Sequence, residues 1–399
     1  MYTINFVNQN TDIPTAYVTF IQATQVVNNV TELVGPALNA TGGNGTTLEN
    51  GVSYSLDSIQ NTISMDPSNW QGHMYLSDAA LTPPTSGGLP VDMAYTLTTD
   101  TNRYQMIEFA GSATSATTDI TYINWYSIPV QMETTTSNTG GNSRGVPSSQ
   151  TALSDLISTL AGLSGNSSTT VVKNSSNETV RVISPNAGNP SWLPLYESFR
   201  DYLVSVFIDS TDSILLSNSY SGIQNPPSLD FQAQTYSASS VTYNGLTLNI
   251  TGTTSVLGNF TMTATMVFAD FSSVIYLAVM NYEWSYDGQN GSASNPTGNT
   301  GDNNVFSAIS RDLMAGFNFG FVGSSQYGSQ PSSAWQQASD SELFSAIQPN
   351  KPYYNPWANA INGCFSDVYS FPFNDFLSNF SPLLTTNDGD ILTVTLLNP

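Results

Sequence analysis

Apolar and polar residues alternate along many short segments of the chain, which is the pattern of β-strands with one buried face. The alternation predicts strands over residues 2–7, 16–24, 52–63, 104–109, 120–130, 241–250, 259–268 and 391–397. A continuous apolar run predicts a strand over 273–284 that is buried on both faces. Apolar residues at helical spacing predict amphipathic helices over 153–163, 195–207 and 305–315, and short helices over 339–347 and 355–362. The pattern as a whole indicates a mainly β protein with some helices.

The clearest candidate for chemistry lies in the predicted hairpin of strands 104–109 and 120–130. Tyr104, Met106 and Glu108 share one face of the first strand. A carboxylate among apolar neighbours must be paired or must hold its proton through a raised pKa, and a Glu with a raised pKa suits a general acid. The alternative is a Glu108 that points to solvent from a half-exposed strand.

Several stretches of the sequence carry a family resemblance and occur in that family's order. They are TINFVNQN, GHMYLSD, MIEF with ITYINWYSIPV, DNNVFSAISRDLMAGFNFGF, NPWANAINGCFSDVYSFPFND and DILTVTLLN. In these segments the chain resembles glycoside hydrolase family 64 (GH64), the inverting β-1,3-glucanases with a thaumatin-like barrel. The resemblance implies a thaumatin-like β-barrel or sandwich with an inserted mixed α/β domain that forms a wide groove. It implies a barrel over 1–145, the mixed domain over 146–364 and a return to the barrel over 365–399.

The resemblance also implies catalytic positions, and one of them is altered. The family's general acid corresponds to Glu108. Its general base belongs to a Thr-x-x-Asp pattern, which reads Thr121, Tyr122, Ile123 and Asn124 in this chain. An amide cannot take a proton from water near neutral pH, and inverting hydrolysis needs two carboxylates.

Other residues are candidates for substrate binding. Asp119 is close to Asn124 in sequence, but its odd spacing predicts that the two lie on opposite faces of a continuous strand. Arg311 lies on a predicted helix and is expected either in the groove or in a surface ion pair. Aromatic residues near Tyr354 are expected either to stack on sugar rings or to pack in the core. The predicted substrate-binding residues are Thr121, Tyr122, Tyr126, Arg311, Tyr354, Trp357 and Asp375.

The charge of the chain argues against some classes of binding partner. The chain holds 7 Lys and Arg against 29 Asp and Glu, giving a net charge of −22 in a sequence with only 9% charged residues. A protein with so few cations offers no basic track for nucleic acid or for an anionic membrane surface. No apolar segment is long enough for a membrane span, and no basic, apolar leader opens the chain. We therefore expect a soluble protein that is cytosolic, a processed mature form, or exported by a route that leaves no such signal.

The sequence predicts neither a cofactor nor a metal. His73 is the only histidine and lacks Cys or His partners at metal-ligand spacing, so a surface or turn histidine is expected. The single Cys364 excludes an internal disulfide.

Three functions remain open from the sequence. The first is a β-1,3-glucan-active protein resembling an inverting laminarin-type endo-glucanase, with Asn124 indicating weakened or lost catalysis. The second is a glycan-binding protein that does not cleave. The third is a structural or self-assembling protein on the same scaffold, which the low-charge surface rich in Ser, Thr and Asn would suit.

Overall fold

The structure is a computed structural model, and it describes residues 1–27, 30–135, 142–209, 214–220, 234–255, 257–294, 303–344 and 353–399. The described strands, in chain order, are β1 Tyr2–Asn8, β2 Tyr17–Gln22, β3 Thr24–Val27, β4 Val30–Leu33, β5 Ala40–Gly42, β6 Ser53–Ser55, β7 Thr62–Met65, β8 Gln71–Ser77, β9 Thr85–Ser86, β10 Leu89–Pro90, β11 Tyr104–Gly111, β12 Ser115–Ile120, β13 Trp125–Tyr126, β14 Val130–Thr135, β15 Asn142–Arg144, β16 Val171–Lys173, β17 Thr179–Ile183, β18 Ser217–Tyr220, β19 Gln234–Tyr243, β20 Thr247–Thr254, β21 Gly258–Thr265, β22 Asn281–Tyr286, β23 Gln289–Ser294, β24 Leu384–Asn387 and β25 Ile391–Leu396. The described α-helices are α1 Gln150–Leu163, α2 Arg200–Phe207, α3 Phe268–Leu277, α4 Asn303–Phe319, α5 Ser332–Trp335 and α6 Pro356–Cys364. The mainly β fold expected from the alternation is confirmed.

The chain forms two compact units. Unit 1 comprises Met1–Ala187, Ala360–Ser370 and Ser381–Pro399, and unit 2 comprises Gly188–Asn359 and Phe371–Phe380. The division differs from the expected start of the inserted domain at residue 146, because α1, β16 and β17 belong to unit 1. Pairing of β17 with β13, Trp125–Tyr126, explains their place, since it joins this segment to unit 1.

Unit 1 is built on two six-stranded sheets whose inner faces pack on each other. One sheet has the order β15-β14-β25-β1-β7-β5, and the other has the order β24-β12-β11-β8-β2-β6. Tyr2 of the first sheet stacks on Phe109 of the second with ring centroids 6.0 Å apart, and Trp70 packs edge-on against Phe109 at 5.3 Å. Large rings at this contact fill the space between the sheets, which fixes the inner face of β11.

The predicted hairpin forms with a different second strand. The partner of β11 is β12, Ser115–Ile120, rather than residues 120–130. The chain leaves this sheet at Thr121, which bridges Tyr369, and its next strand, β13, belongs to another sheet. The expected strand over 120–130 was therefore wrong, because a run of buried aromatic residues resembles a strand whether or not it pairs.

Unit 2 places helices against one six-stranded sheet with the order β18-β19-β20-β21-β22-β23. Phe306 of α4 stacks on Trp284 of β22 at 5.2 Å, and Phe271 of α3 packs edge-on against Tyr243 of β19 at 5.1 Å. These ring contacts form the core between helices and sheet.

One predicted strand in unit 2 was wrong. The apolar run over 273–284 forms the end of α3 and then β22, with a break at Ala278, which takes the left-handed conformation at φ 54°. A continuous apolar run fits a buried helix as well as a buried strand, so periodicity cannot decide between them. The predicted helix over 339–347 lies partly outside the described residues, and its described part contains the short 3₁₀ helix Asp340–Glu342. Among the described helices, none has the length and apolarity needed to cross a membrane.

Candidate active site

Glu108 lies at the centre of a row of titratable side chains in unit 1. The register places it directly opposite His73 of β8 and Asp119 of β12. Directly opposed residues point to the same face of a sheet, with Cβ atoms about 4.5–5.5 Å apart. Ile107 and Phe109 point to the other face and are buried in the core. The row therefore lies on the face of this sheet that is turned away from the sandwich core.

Glu108 is half-buried, unlike a strand carboxylate that is fully solvated. Burial raises its pKa above the ordinary value; the nearby His73 charge opposes this rise and the Asp92 charge adds to it. Because burial dominates, Glu108 keeps its proton to a higher pH than a free glutamic acid. A partly accessible carboxylic acid of this kind can donate a proton to a bound ligand.

His73 is held by Asp92, which precedes the short 3₁₀ helix Met93–Thr96. The Nδ1 atom of His73 lies 2.7 Å from Asp92 Oδ2. The other carboxylate oxygen, Oδ1, accepts hydrogen bonds from the Tyr75 hydroxyl at 2.8 Å and from the Ala94 amide at 2.6 Å. Burial lowers the pKa of His73, but the hydrogen bond and charge of Asp92, with the charge of Glu108, bring the net shift above the ordinary value. Burial raises the pKa of Asp92, but the hydrogen bond and charge of His73, with the hydrogen bonds from the Ala94 amide and the Tyr75 hydroxyl, bring it below the ordinary value.

The segment from Thr121 to Asn124 is fixed by hydrogen bonds within unit 1. The buried Gln105 side chain donates to the Thr121 carbonyl at 2.8 Å and accepts from the Ser127 amide at 3.1 Å. The Ser184 amide donates to the Asn124 carbonyl at 3.0 Å. Asn124, the residue predicted at the position of the general base, lies just beyond β12 in this segment, whose backbone these hydrogen bonds fix. Its side chain is half-buried.

Tyr122 and Tyr126 lie in the core rather than on a binding surface. Their rings are 5.2 Å apart, and each packs on Phe365, at 5.2 Å and 6.3 Å respectively. Both side chains are at most 1% exposed, and burial raises the pKa of both hydroxyls. The prediction that these two rings contact substrate is corrected, because enclosed rings present no face to a ligand.

The remaining predicted residues belong to unit 2. Arg311 of α4 is partly exposed; it donates from Nε and one terminal nitrogen to Asp312 Oδ1 at 3.1 Å and 2.8 Å, and its guanidinium lies 5.6 Å from the Phe376 ring. Asp375 is exposed, and its charge acts on Arg311. These two residues therefore lie near each other in unit 2.

The two predicted aromatic contacts in unit 2 differ from each other. Trp357 is 1% exposed, so the core alternative applies to it, and the prediction that its ring binds substrate is corrected. Tyr354 is half-buried, with its ring 5.8 Å from that of Phe344.

Sequence reasoning missed three members of the row around Glu108. His73 was expected on a surface or turn, Asp119 was expected on the face opposite Asn124, and Asp92 was not considered. The alternation did predict strands, but the register between them depends on pairing that is distant in sequence. A hairpin partner that began at residue 115 would have placed Asp119 opposite Glu108.

The described residues include no group of three or more His, Cys, Asp or Glu side chains arranged to hold a metal ion. A cavity of about 440 Å³ lies on the sheet of unit 2, and none of the described predicted site residues lines it. Its lining is polar apart from Trp284 and Gly291, and consists of Thr261, Thr263, Glu283, Trp284, Ser285, Asn290, Gly291 and Ser292.

Comparison with known proteins identifies the fold. No protein-family model and no curated protein matches the sequence. The solved structure of a laminaripentaose-producing β-1,3-glucanase in complex with laminaritetraose matches this chain with a TM-score of 0.61 and 16% identity, over 100% of this chain and 98% of that one. A GH64 β-1,3-glucanase domain from Clostridium beijerinckii matches with a TM-score of 0.53 and 13% identity, over 99% and 98% of the two chains. This chain has the fold of the GH64 β-1,3-glucanases.

The likeness to these structures confirms the mainly β, GH64-like sandwich fold that the resemblance implied. Because identity is only 13–16%, the likeness concerns the fold and does not carry catalytic residues from one chain to another. The roles of individual side chains therefore depend on the geometry around Glu108.

Proposed function

We propose that this protein acts on β-1,3-glucan and that Glu108 is the proton donor. The observation that carries the proposal is a half-buried carboxylic acid with a raised pKa on the polar face of a sheet in a GH64 fold. One of the solved structures with this fold is a complex with laminaritetraose. That complex supports an oligosaccharide of β-1,3-linked glucose as the ligand class.

In the proposed reaction, the proton of Glu108 passes to the glycosidic oxygen as the bond from that oxygen to the anomeric carbon breaks. A water molecule adds to the anomeric carbon and gives up a proton to a second group. For inversion, that group is a carboxylate about 6.5–9.5 Å from the acid, whereas two carboxylates about 5–5.5 Å apart favour retention through a covalent intermediate.

Asp119 is the carboxylate that pairing places opposite Glu108, and Asn124 is the amide at the position expected for the base. Asp119 is only 7% exposed, so a role in catalysis requires water to reach it from the side of Glu108. The proposal therefore has two versions. In the first, Asp119 is the second carboxylate. In the second, turnover is slow because position 124 holds an amide in place of the base.

The first experiment measures release of reducing ends and oligosaccharides from laminarin. Wild type should release product, and Glu108→Gln should lower kcat by about 10²–10⁴, the usual contribution of a positioned general acid. Glu133→Gln is the matched control, since Glu133 is exposed on β14. Equal rates for Glu108→Gln and wild type would remove Glu108 from the reaction.

The second experiment separates the two versions. If Asn124 is the defect, Asn124→Asp should increase the laminarin rate, while Asp119→Asn should change it little. If Asp119 is the second carboxylate, Asp119→Asn should abolish turnover and Asn124→Asp should give no increase. Circular dichroism and thermal unfolding of each variant show whether the fold has been kept.

A non-catalytic glycan-binding role is the second candidate, and the amide at Asn124 favours it. In that case laminari-oligosaccharides should bind, as measured by calorimetry, without any product at high protein concentration. Wild-type protein that neither binds nor cleaves laminarin or curdlan would overturn both candidates.

A further inference from the structure

His73 and Asp92 form a fixed pair beside Glu108. His73 occupies the position directly opposite Glu108 on the neighbouring strand, so the two side chains share one face of the sheet. The Asp92 carboxylate contacts Nδ1 of His73. The Tyr75 hydroxyl and the Ala94 amide fix that carboxylate by hydrogen bonds, and the Tyr75 ring packs edge-on against the His73 ring at 6.1 Å.

The titratable groups around this pair come from four elements. Glu108 faces His73 from β11, and Asp119 lies beyond Glu108 on β12. Asp92 faces it from the segment before the 3₁₀ helix, and Tyr75 lies two residues along β8. On the remaining side, β2 places the uncharged Ile21 opposite His73. His73 is therefore the basic group in a set of three carboxylates.

We propose that His73, oriented by Asp92, is a positioning residue that sets the pH at which Glu108 carries its proton. A protonated imidazole favours the ionised form of Glu108. A neutral imidazole leaves Asp92 uncompensated, which favours the protonated form. The charge on His73 thus opposes burial and keeps the proton of Glu108 transferable. For catalysis this rests on the proposed function, whereas the electrostatic coupling itself does not.

The size of the coupling follows from the register. Directly opposed strand positions have Cβ atoms about 4.5–5.5 Å apart. Two charges at about that separation shift each other's pKa by roughly 0.5–2 pH units between water-like and partly buried surroundings. Linkage makes the effect reciprocal, so Glu108 must shift the titration of His73 by as much as His73 shifts that of Glu108. Measuring either shift therefore determines both.

The chain contains a single histidine, so one imidazole signal can be followed by NMR without assignment by mutation. We expect His73 in the full-length wild type to titrate above its ordinary pKa, and Glu108→Gln to lower that midpoint by about 0.5–2 pH units. Glu133→Gln, exposed on β14, should leave the midpoint unchanged. A His73 titration that is the same in wild type and folded Glu108→Gln would overturn the proposal.

A second measurement tests the consequence for turnover of laminarin. Glu108 must be protonated to act as the acid, so the rate should fall as pH rises through its pKa. His73→Gln should move this alkaline limb upward by about 0.5–2 pH units, whereas a purely structural role would lower the rate at every pH without moving the limb. Absence of laminarin turnover in wild type would count against the proposed function only, since the NMR titration would still decide the coupling.

Discussion

Replacing Arg181 by Met should be one of the most destabilising single changes in unit 1. Arg181 lies on β17 with its side chain fully buried. Its terminal nitrogens donate to the carbonyls of Leu97 at 2.7 Å, Asp100 at 3.1 Å and Asn102 at 2.5 Å, and its guanidinium carbon lies 3.6 Å from the Tyr104 ring centroid. Burial lowers the pKa of Arg181, but the carbonyls and the ring compensate the charge.

The magnitude follows from what the Met variant loses and what it no longer has to bury. Hydrogen bonds from a charged donor are worth about 1.5–3 kcal/mol each, and a desolvated cation over an aromatic ring about 2 kcal/mol. Against this loss, the variant avoids the several kcal/mol needed to desolvate a guanidinium. We expect the free energy of unfolding of Arg181→Met to fall by about 3–5 kcal/mol, because three carbonyl groups lose their donor and this loss exceeds the desolvation that is avoided.

Urea unfolding followed by tryptophan fluorescence measures the change, with the transition that includes unit 1 fitted separately if two are seen. Arg200→Met is the matched control. The Arg200 side chain is 62% exposed and its hydrogen bond to a side chain goes to the adjacent Asp201 at 3.5 Å, so the control should change stability by less than about 0.5 kcal/mol. If Arg181→Met were as stable as that control, the three carbonyl bonds would not be stabilising this part of the fold.

Two further substitutions test close packing and buried charge. Gly111→Ala should destabilise the fold by about 2 kcal/mol or more, because the added Cβ would lie 1.8 Å from the carbonyl oxygen of Pro67. Gly162→Ala in α1 is the control; its Cβ meets open space and should stabilise slightly. Thermal unfolding compares the two variants, and equal melting temperatures would contradict the predicted clash. Asp312→Asn should lower the free energy of unfolding in urea by about 3–5 kcal/mol, because the fully buried carboxylate accepts hydrogen bonds on both oxygens. Asp201→Asn is the control, and since Asp201 is exposed the change should be close to zero. A small loss for both variants would show that an amide satisfies the same donors.

The architecture could be predicted because alternation is a local property. Each strand shows its buried face in its own residues, and segments such as 2–7 and 391–397 form strands close to where the pattern placed them. Registers are different, since they depend on which residues of distant strands become neighbours. The row around Glu108 is made of such pairings, which is why the acid was predicted and His73 was not.

Aromatic residues were the other source of error. Tyr122, Tyr126 and Trp357 were predicted to bind substrate, yet all three are enclosed in the protein. The sequence offers no signal that separates a buried ring from a surface ring when polar residues flank both. Arg311 and Asp375 were named as substrate-binding residues only through the family resemblance and not through any pattern in the residues.

The position of β25 bears on how the protein is made in the cell. In the sheet of unit 1, β25 lies between β14 and β1 and pairs with both, parallel to β1 and antiparallel to β14. During translation β1 and β14 are synthesised before β25, so the edges that pair with β25 stay open until residues 391–396 have been made. Such edges readily accept strands from other nascent chains. The sheet is therefore complete only once β25 has been made, and β25 is the strand that closes these edges against misassembly.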